Sequence, residues 1–268
     1  MPRFAANLSF LFQDEPFLDR FAAAADQGFQ AVEFMFPYDH SAAAVASAVR
    51  AAGVQVVLFN TPAGDWAKGE RGLAALPSRR QDFRAAMART FEYAEAFNCP
   101  RIHVVAGMQP SGADRRAMEA CFMDNLAWAA QQAAGMGRML MLEPLNQRDN
   151  PGFFLSDFDF AEKVITDIGA PNLRLQFDVY HAQITHGDIT KRIERQMPWI
   201  GHVQIANPPD RREPGNGEID YRYILETFDR LGYDGWIGCE YRPTGSTVES
   251  LGWIRDYGVV PPKKPTNP

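Results

Sequence analysis

The chain has 268 residues, 46% hydrophobic and 22% charged, with 27 Lys and Arg against 33 Asp and Glu and a formal net charge of -6. That balance belongs to a soluble globular protein and excludes collagen-like and wholly disordered chains. The acidic total also argues against nucleic acid as a partner, because duplex binding rests on Lys and Arg neutralising phosphates.

Short apolar runs of strand length alternate with longer stretches of helical periodicity. The run 3–8 is followed by a helix over 16–27 that stops at Gly28, and the run 31–36 by a helix over 41–52 that stops at Gly53. Next come 55–60 with a helix over 78–97, 101–105 with 114–134, and 138–143 with 157–168, entered through Asp157. The strand 173–178 precedes a weaker helix near 188–196, and the last pairs are 199–206 with 221–231, entered through Asp220, and 235–240 with 246–257. Eight strand-then-helix units in about 250 residues predict a single-domain α/β fold, a closed (β/α)8 TIM barrel. It would span 1–258, with a Pro-rich tail over 259–268. Neither a G-x-G-x-x-G after the first strand nor a P-loop is present, which disfavours the nucleotide-binding α/β folds.

The N-terminus lacks the pattern of a secretory signal, and no apolar run reaches the roughly 18 residues of a membrane span, so no membrane partner is expected. Cys99, Cys121 and Cys239 are far apart and form no CxxC pair. They predict neither disulfides nor a zinc knuckle and fit a reducing cytoplasm.

In such a barrel the active site is built at the C-terminal ends of the strands. Four polar side chains stand there on four successive predicted strands: Glu143, Asp178, Gln204 and Glu240. Strand alternation turns Met139 and Met141 to the same face as Glu143, Gln176 with Asp178, His202 with Gln204, and Trp236 and Gly238 with Glu240. Three carboxylates converging in one mouth would repel unless a cation joined them. An all-oxygen donor set suits a hard divalent metal, Mg2+ or Mn2+. A divalent ion chelated by a carbonyl and a neighbouring hydroxyl favours deprotonation of the C–H between them, the chemistry of aldose–ketose isomerisation, with Glu143 and Glu240 as the flanking acid/base pair.

The segments His202-Val-Gln-Ile-Ala, Pro209-Asp-Arg-Arg-Glu-Pro214, Gly217-Glu-Ile-Asp-Tyr221, Gly232-Tyr-Asp-Gly-Trp-Ile-Gly-Cys-Glu-Tyr241 and Leu251-Gly-Trp253 carry a resemblance. They closely resemble the hydroxypyruvate isomerase and 2-oxo-tetronate isomerase family, within the xylose-isomerase-like barrel superfamily. Glu33-Phe-Met-Phe-Pro-Tyr-Asp39 and Ile102-His-Val-Val-Ala-Gly107 extend the likeness over nearly the whole chain. The resemblance implies a metal-dependent barrel in which Glu143 and Glu240 act as acid/base pair and metal ligands, with Asp178 and Gln204 completing the sphere. Related ketose epimerases usually carry His where Gln204 stands. His181 matches a substrate-contacting His of the epimerases.

The reaction so implied converts hydroxypyruvate to tartronate semialdehyde, with the four-carbon pair 2-oxo-tetronate and 3-oxo-tetronate as the close alternative. The partner is a small sugar acid, whose carboxylate calls for a cationic fork. Arg211, Arg212, Arg148 and Arg71 all lie in barrel-top loops, with Arg211 the foremost candidate. His103 and Asn7 are placed near the mouth to hydrogen-bond substrate, His202 beneath Gln204 as its support, and Glu33 in a buried polar network. His40 and His186 read as solvated. The glycine-rich loop 63–76 with Trp66 reads as a mobile lid that shields an enediolate from water. Phe10–Phe12 and Phe153–Phe154 read as exposed aromatics that either cover substrate or line a homo-oligomer contact. Two remoter readings are a metal-dependent phosphodiesterase or DNA-repair nuclease on the same barrel, which needs more ligands and a basic rim, and a barrel that binds sugar acids without catalysis.

Overall fold

A computed structural model describes residues 1–262; the end of the predicted tail, 263–268, lies outside the described residues. Eight strands close in sequence order into one parallel barrel: β1 (Arg3–Asn7), β2 (Ala31–Phe34), β3 (Gln55–Asn60), β4 (Arg101–His103), β5 (Met139–Leu142), β6 (Leu173–Asp178), β7 (Ile200–Ile205) and β8 (Trp236–Cys239). β8 pairs with β1 through Arg3 and Trp236, so the barrel has no free edge.

The helices between them are α1 (Arg20–Asp26), α2 (Ala42–Ala52), α3 (Arg80–Ala96), α4 (Arg115–Gly135), α5 (Phe158–Ile168), α6 (Val179–Thr185), α7 (Ile189–Gln196), α8 (Tyr221–Arg230) and the short α9 (Thr247–Ser250). Several of their N-termini are chemically marked. Ser41, Asp114, Asp157 and Asp220 each accept a hydrogen bond from a first-turn N–H, replacing a partner the helix itself cannot supply. α6 is not among the predicted helices, because it begins at the residue where β6 ends. The first predicted helix starts four residues later than its sequence pattern, after a turn over 17–19, and the last breaks at Leu251 into a 3-10 turn, Gly252–Tyr257.

Most apolar burial lies between barrel and helices, where Phe21, Phe34, Phe59 and Phe97 pack edge to face. Inside the barrel the apolar floor is small: Ala5, Ala31, Val57 and Trp236. Above that floor the inward positions turn polar, and this change positions the site.

Candidate active site

The first polar layer centres on Glu33 of β2, fully buried. Asn7 of β1 donates to its carboxylate at 2.9 Å, Gln204 of β7 at 2.7 Å and His202 of β7 lies 2.6 Å from the second oxygen. Gly238 of β8 leaves the space for this group, since a Cβ there would overlap the Glu33 carboxylate. Glu33 is thus the hub of a buried network, and His202 braces it from below Gln204.

One step higher the four predicted strand-end groups line up. Asp178 stands beside Gln204 and Gln204 beside Gly238 in the sheet register, while Glu143 and Glu240 directly follow β5 and β8. Asn7, His103, Glu143, His181, Gln204, Arg211 and Glu240 all line a cavity of about 100 Å³, with Phe10 and Phe153 among its walls. Phe12, Phe153 and Phe154 are buried within the chain itself, so these aromatics are not the exposed patch the sequence suggests. Their loops fold inward over the barrel mouth, and Arg115 lies against the ring of Phe154.

The carboxylates divide into two groups. Glu143, Asp178 and His181 each bring one ligand atom within 4.8 Å of the others. Glu240 instead receives hydrogen bonds from Asn7 and Gln204 and an ion pair from Arg211. The amide oxygen of Gln204 accepts from Gln176 at 2.5 Å, so its nitrogen faces Glu33 and Glu240. Asp178 caps α6 with one oxygen, accepting from Tyr180 N–H at 2.8 Å, and leaves the other 3.4 Å from Arg211 and 3.6 Å from His181.

Burial lifts all three carboxyls. Glu143 is raised well above the usual carboxylate range by burial and then by the charges of Glu240 and Asp178, and its Oε1 has no hydrogen-bond partner. Burial pushes Glu240 up to about 8, with Arg211 opposing. Burial pushes Asp178 up to about 6, with Arg211 and the Tyr180 N–H opposing. Burial alone would weaken the Arg211 charge, but Glu240, Asp178 and Glu143 outweigh it and hold the guanidinium charged. Arg211 is gripped between the rings of Phe10 and Tyr180, 4.8 and 5.0 Å from their centroids, at a left-handed backbone position fixed by the Arg242 N–H.

Two histidines of the cavity, His103 and His181, are held neutral by burial. Burial brings His103 down to about 3, and burial together with Arg211 holds His181 well below its usual range. His103 Nδ1 lies 3.3 Å from Glu143. In His181, Nδ1 faces two donors of Asn146, the backbone N–H at 3.0 Å and the side-chain amide at 2.7 Å. A nitrogen that accepts carries no proton, so the proton of neutral His181 sits on Nε2, aimed at Glu143 and Asp178. Asn146 is not among the residues singled out from the sequence. The one local signal for it is its place three residues beyond Glu143 in the loop that leaves β5.

Of the remaining predicted contacts, Arg71 lines the cavity, whereas Arg148 and Arg212 line a separate groove outside it. His40 and His186 are half-buried and not solvated as expected, His40 stacked on Phe17 and His186 edge to face with Phe158. The cause is aromatic packing at the ends of their elements.

The family described as xylose isomerase-like TIM barrel matches residues 21–257. The chain belongs to that family. Within it, the chain is 52% identical to a 2-oxo-tetronate isomerase of Cupriavidus necator, an alignment covering 96% of this chain and 99% of the relative. It is 41% identical to the hydroxypyruvate isomerase of Escherichia coli, over 96% of this chain and all of the relative. A solved structure named as an AP endonuclease, family 2, from Brucella melitensis superposes with a TM-score of 0.94 at 45% identity, over 96% of this chain and 99% of that one. The xylose isomerase-like barrel thus accounts for the topology, and the hydroxypyruvate and 2-oxo-tetronate isomerase relatives share the full length.

Proposed function

We propose that this protein is an isomerase that interconverts a short 2-keto-3-hydroxy acid with its aldehyde or 3-keto partner. The single observation that carries the reading is the pair of buried carboxyls, Glu143 and Glu240, projecting from β5 and β8 into one cavity with His181 between them in the ring order. Glu240, held by Arg211, Asn7 and Gln204, is the carboxylate that removes the proton from C3. Glu143, on the opposite side of the cavity mouth, returns a proton to C2. His181 Nε2–H donates to O2 as it gains charge, the hydroxyl proton of O3 passes to O2 as the C3 carbonyl forms, and exchange with solvent resets the two carboxyls.

The residues fit a hard divalent ion in part: Glu143 and Asp178 bring oxygens close together and Glu143 Oε1 is buried without a partner, whereas Gln204, whose oxygen accepts from Gln176, and Glu240, held by Arg211, Asn7 and Gln204, would join the ion only by giving up those bonds. Mg2+ or Mn2+ held there supplies Lewis-acid polarisation of the carbonyl and neighbouring hydroxyl. With its proton fixed on Nε2, His181 is a hydrogen-bond donor to substrate and not a ligand.

Identity to the Cupriavidus enzyme favours the four-carbon acid, and hydroxypyruvate is the second substrate to test. The three buried free thiols fit a reducing, cytoplasmic setting. Likeness to the Brucella protein, named as an AP endonuclease, raises a DNA-repair reading, which the acidic net charge of -6 disfavours. Turnover of each acid by purified protein with Mg2+ or Mn2+, followed by proton NMR in D2O, tests the proposal. Deuterium entering the product is the expected result, and inertness toward both acids overturns it, as does cleavage of an abasic duplex without isomerisation.

A further inference from the structure

We infer that Arg71, in the loop after β3, binds the carboxylate of the substrate; the inference rests on the acid-isomerase reading above. A reaction at C2 and C3 leaves C1 as a spectator carboxylate, and a cavity lined by buried carboxyls must supply a cation for it. Among the described residues, two of the barrel-top arginines line the cavity, Arg211 and Arg71. Arg211 is already paired with Glu240 and Asp178. A carboxylate there would compete with the groups that do the chemistry.

Arg71 is differently placed. Its guanidinium carbon sits over the indole of Trp66, 3.4 Å from the ring centroid, and Nη1 donates to the carbonyls of Trp66 and Glu70. Nε and Nη2 make no hydrogen bond, and no carboxylate forms an ion pair with Arg71, among the described residues. The nearby acids are engaged elsewhere: Glu70 pairs with Arg79, and Asp65 with Lys68 at 2.8 Å. One edge of a planar fork is therefore held and the other is unfilled, the arrangement a carboxylate occupies.

The loop is also built to hold that fork still. Gly72 takes φ +108, where a Cβ would strike the Val105 carbonyl, and it pairs with Ala106 across an antiparallel bridge. Leu73, Ala74 and Ala75 are buried behind it. Only the tip, 64–69, is exposed, so the lid expected of this loop would be confined to those residues. β3 and β7 are four places apart in the ring of eight, so Arg71 and Arg211 approach the cavity from opposite sides. A substrate would lie between them, with C1 toward Arg71 and the reacting carbons toward Glu143 and Glu240.

Titration calorimetry with tartronate, an unreactive three-carbon dicarboxylate, reads the anchor independently of turnover. Wild-type protein loaded with Mg2+ is expected to bind tartronate, Arg71→Met to bind it at least about 30-fold more weakly, and Arg71→Lys to recover part of the loss. In assays with the acids, Arg71→Met should raise KM more than it lowers kcat, with an unchanged melting temperature. Tartronate binding by Arg71→Met within threefold of wild type, or no binding by wild type at tens of millimolar, overturns the assignment. Arg71-dependent tartronate binding by a protein that turns over neither acid would leave the anchor standing and remove the isomerase reading. Turnover with unchanged KM in Arg71→Met would do the reverse.

Discussion

The backbone N–H of Asn146 points at Nδ1 of His181 from 3.0 Å, and by doing so it fixes which end of the imidazole carries the proton. The loop leaving β5 thus sets the protonation of a side chain on α6, and Nε2–H faces the two carboxyls. Nitrogen-15 NMR should find His181 as the neutral Nε2–H tautomer from pH 5 to 9. A doubly protonated ring near pH 6 would contradict the assignment. His181→Asn should lower kcat by about 100-fold or more, the usual cost of losing one donor to a developing oxyanion.

Glu240→Gln removes the charge that abstracts the proton but keeps the shape that Asn7 and Arg211 pack against. Turnover should fall by at least about 1,000-fold with the fold intact by circular dichroism, and Glu143→Gln should behave alike. Full activity in either variant excludes that residue from proton transfer.

The metal-free protein should lose stability as pH rises. Glu240 is held at about 8 and Asp178 at about 6, above the ordinary values of 4.5 and 3.8. Between the ordinary and the raised values the folded state therefore binds more protons than the unfolded one, and stability falls with increasing pH. The stabilisation is complete below about pH 4 and is lost through pH 8. Thermal melts in chelator should show this decline, Glu240→Gln should flatten it, and Mn2+ should raise the melting temperature more at pH 8 than at pH 5. A flat profile from pH 5 to 8 would refute the buried-carboxyl account.

Gly238 should tolerate no side chain. A Cβ would overlap the Glu33 carboxylate, whose displacement would unseat Asn7, His202 and Gln204 together. Gly238→Ala is expected to cost about 2 kcal/mol or more in urea unfolding and to lower activity as well.

The barrel was legible because each strand is an apolar run between turn residues, and β3 and β6 have the predicted ends. The inward direction of Trp236, Gly238 and Glu240 follows from alternation alone. Side-chain rotation is not legible in this way. Whether Gln204 presents its oxygen or its nitrogen depends on Gln176 and Glu33, and whether Glu240 is paired depends on Arg211, 29 residues away. These partners meet only after closure of the barrel. α6 is hidden in the sequence for a related reason, since Asp178 is both the last residue of a strand and the cap of the next helix.

That shared residue couples ligand binding to the first turn of a helix. Any ligand that draws Asp178 away from Tyr180 N–H loosens the first turn of α6, and any loosening there shifts His181 as well. Occupancy at the reaction centre should accordingly be felt as altered amide exchange along 179–185, a tether linking chemistry to the shell of the molecule.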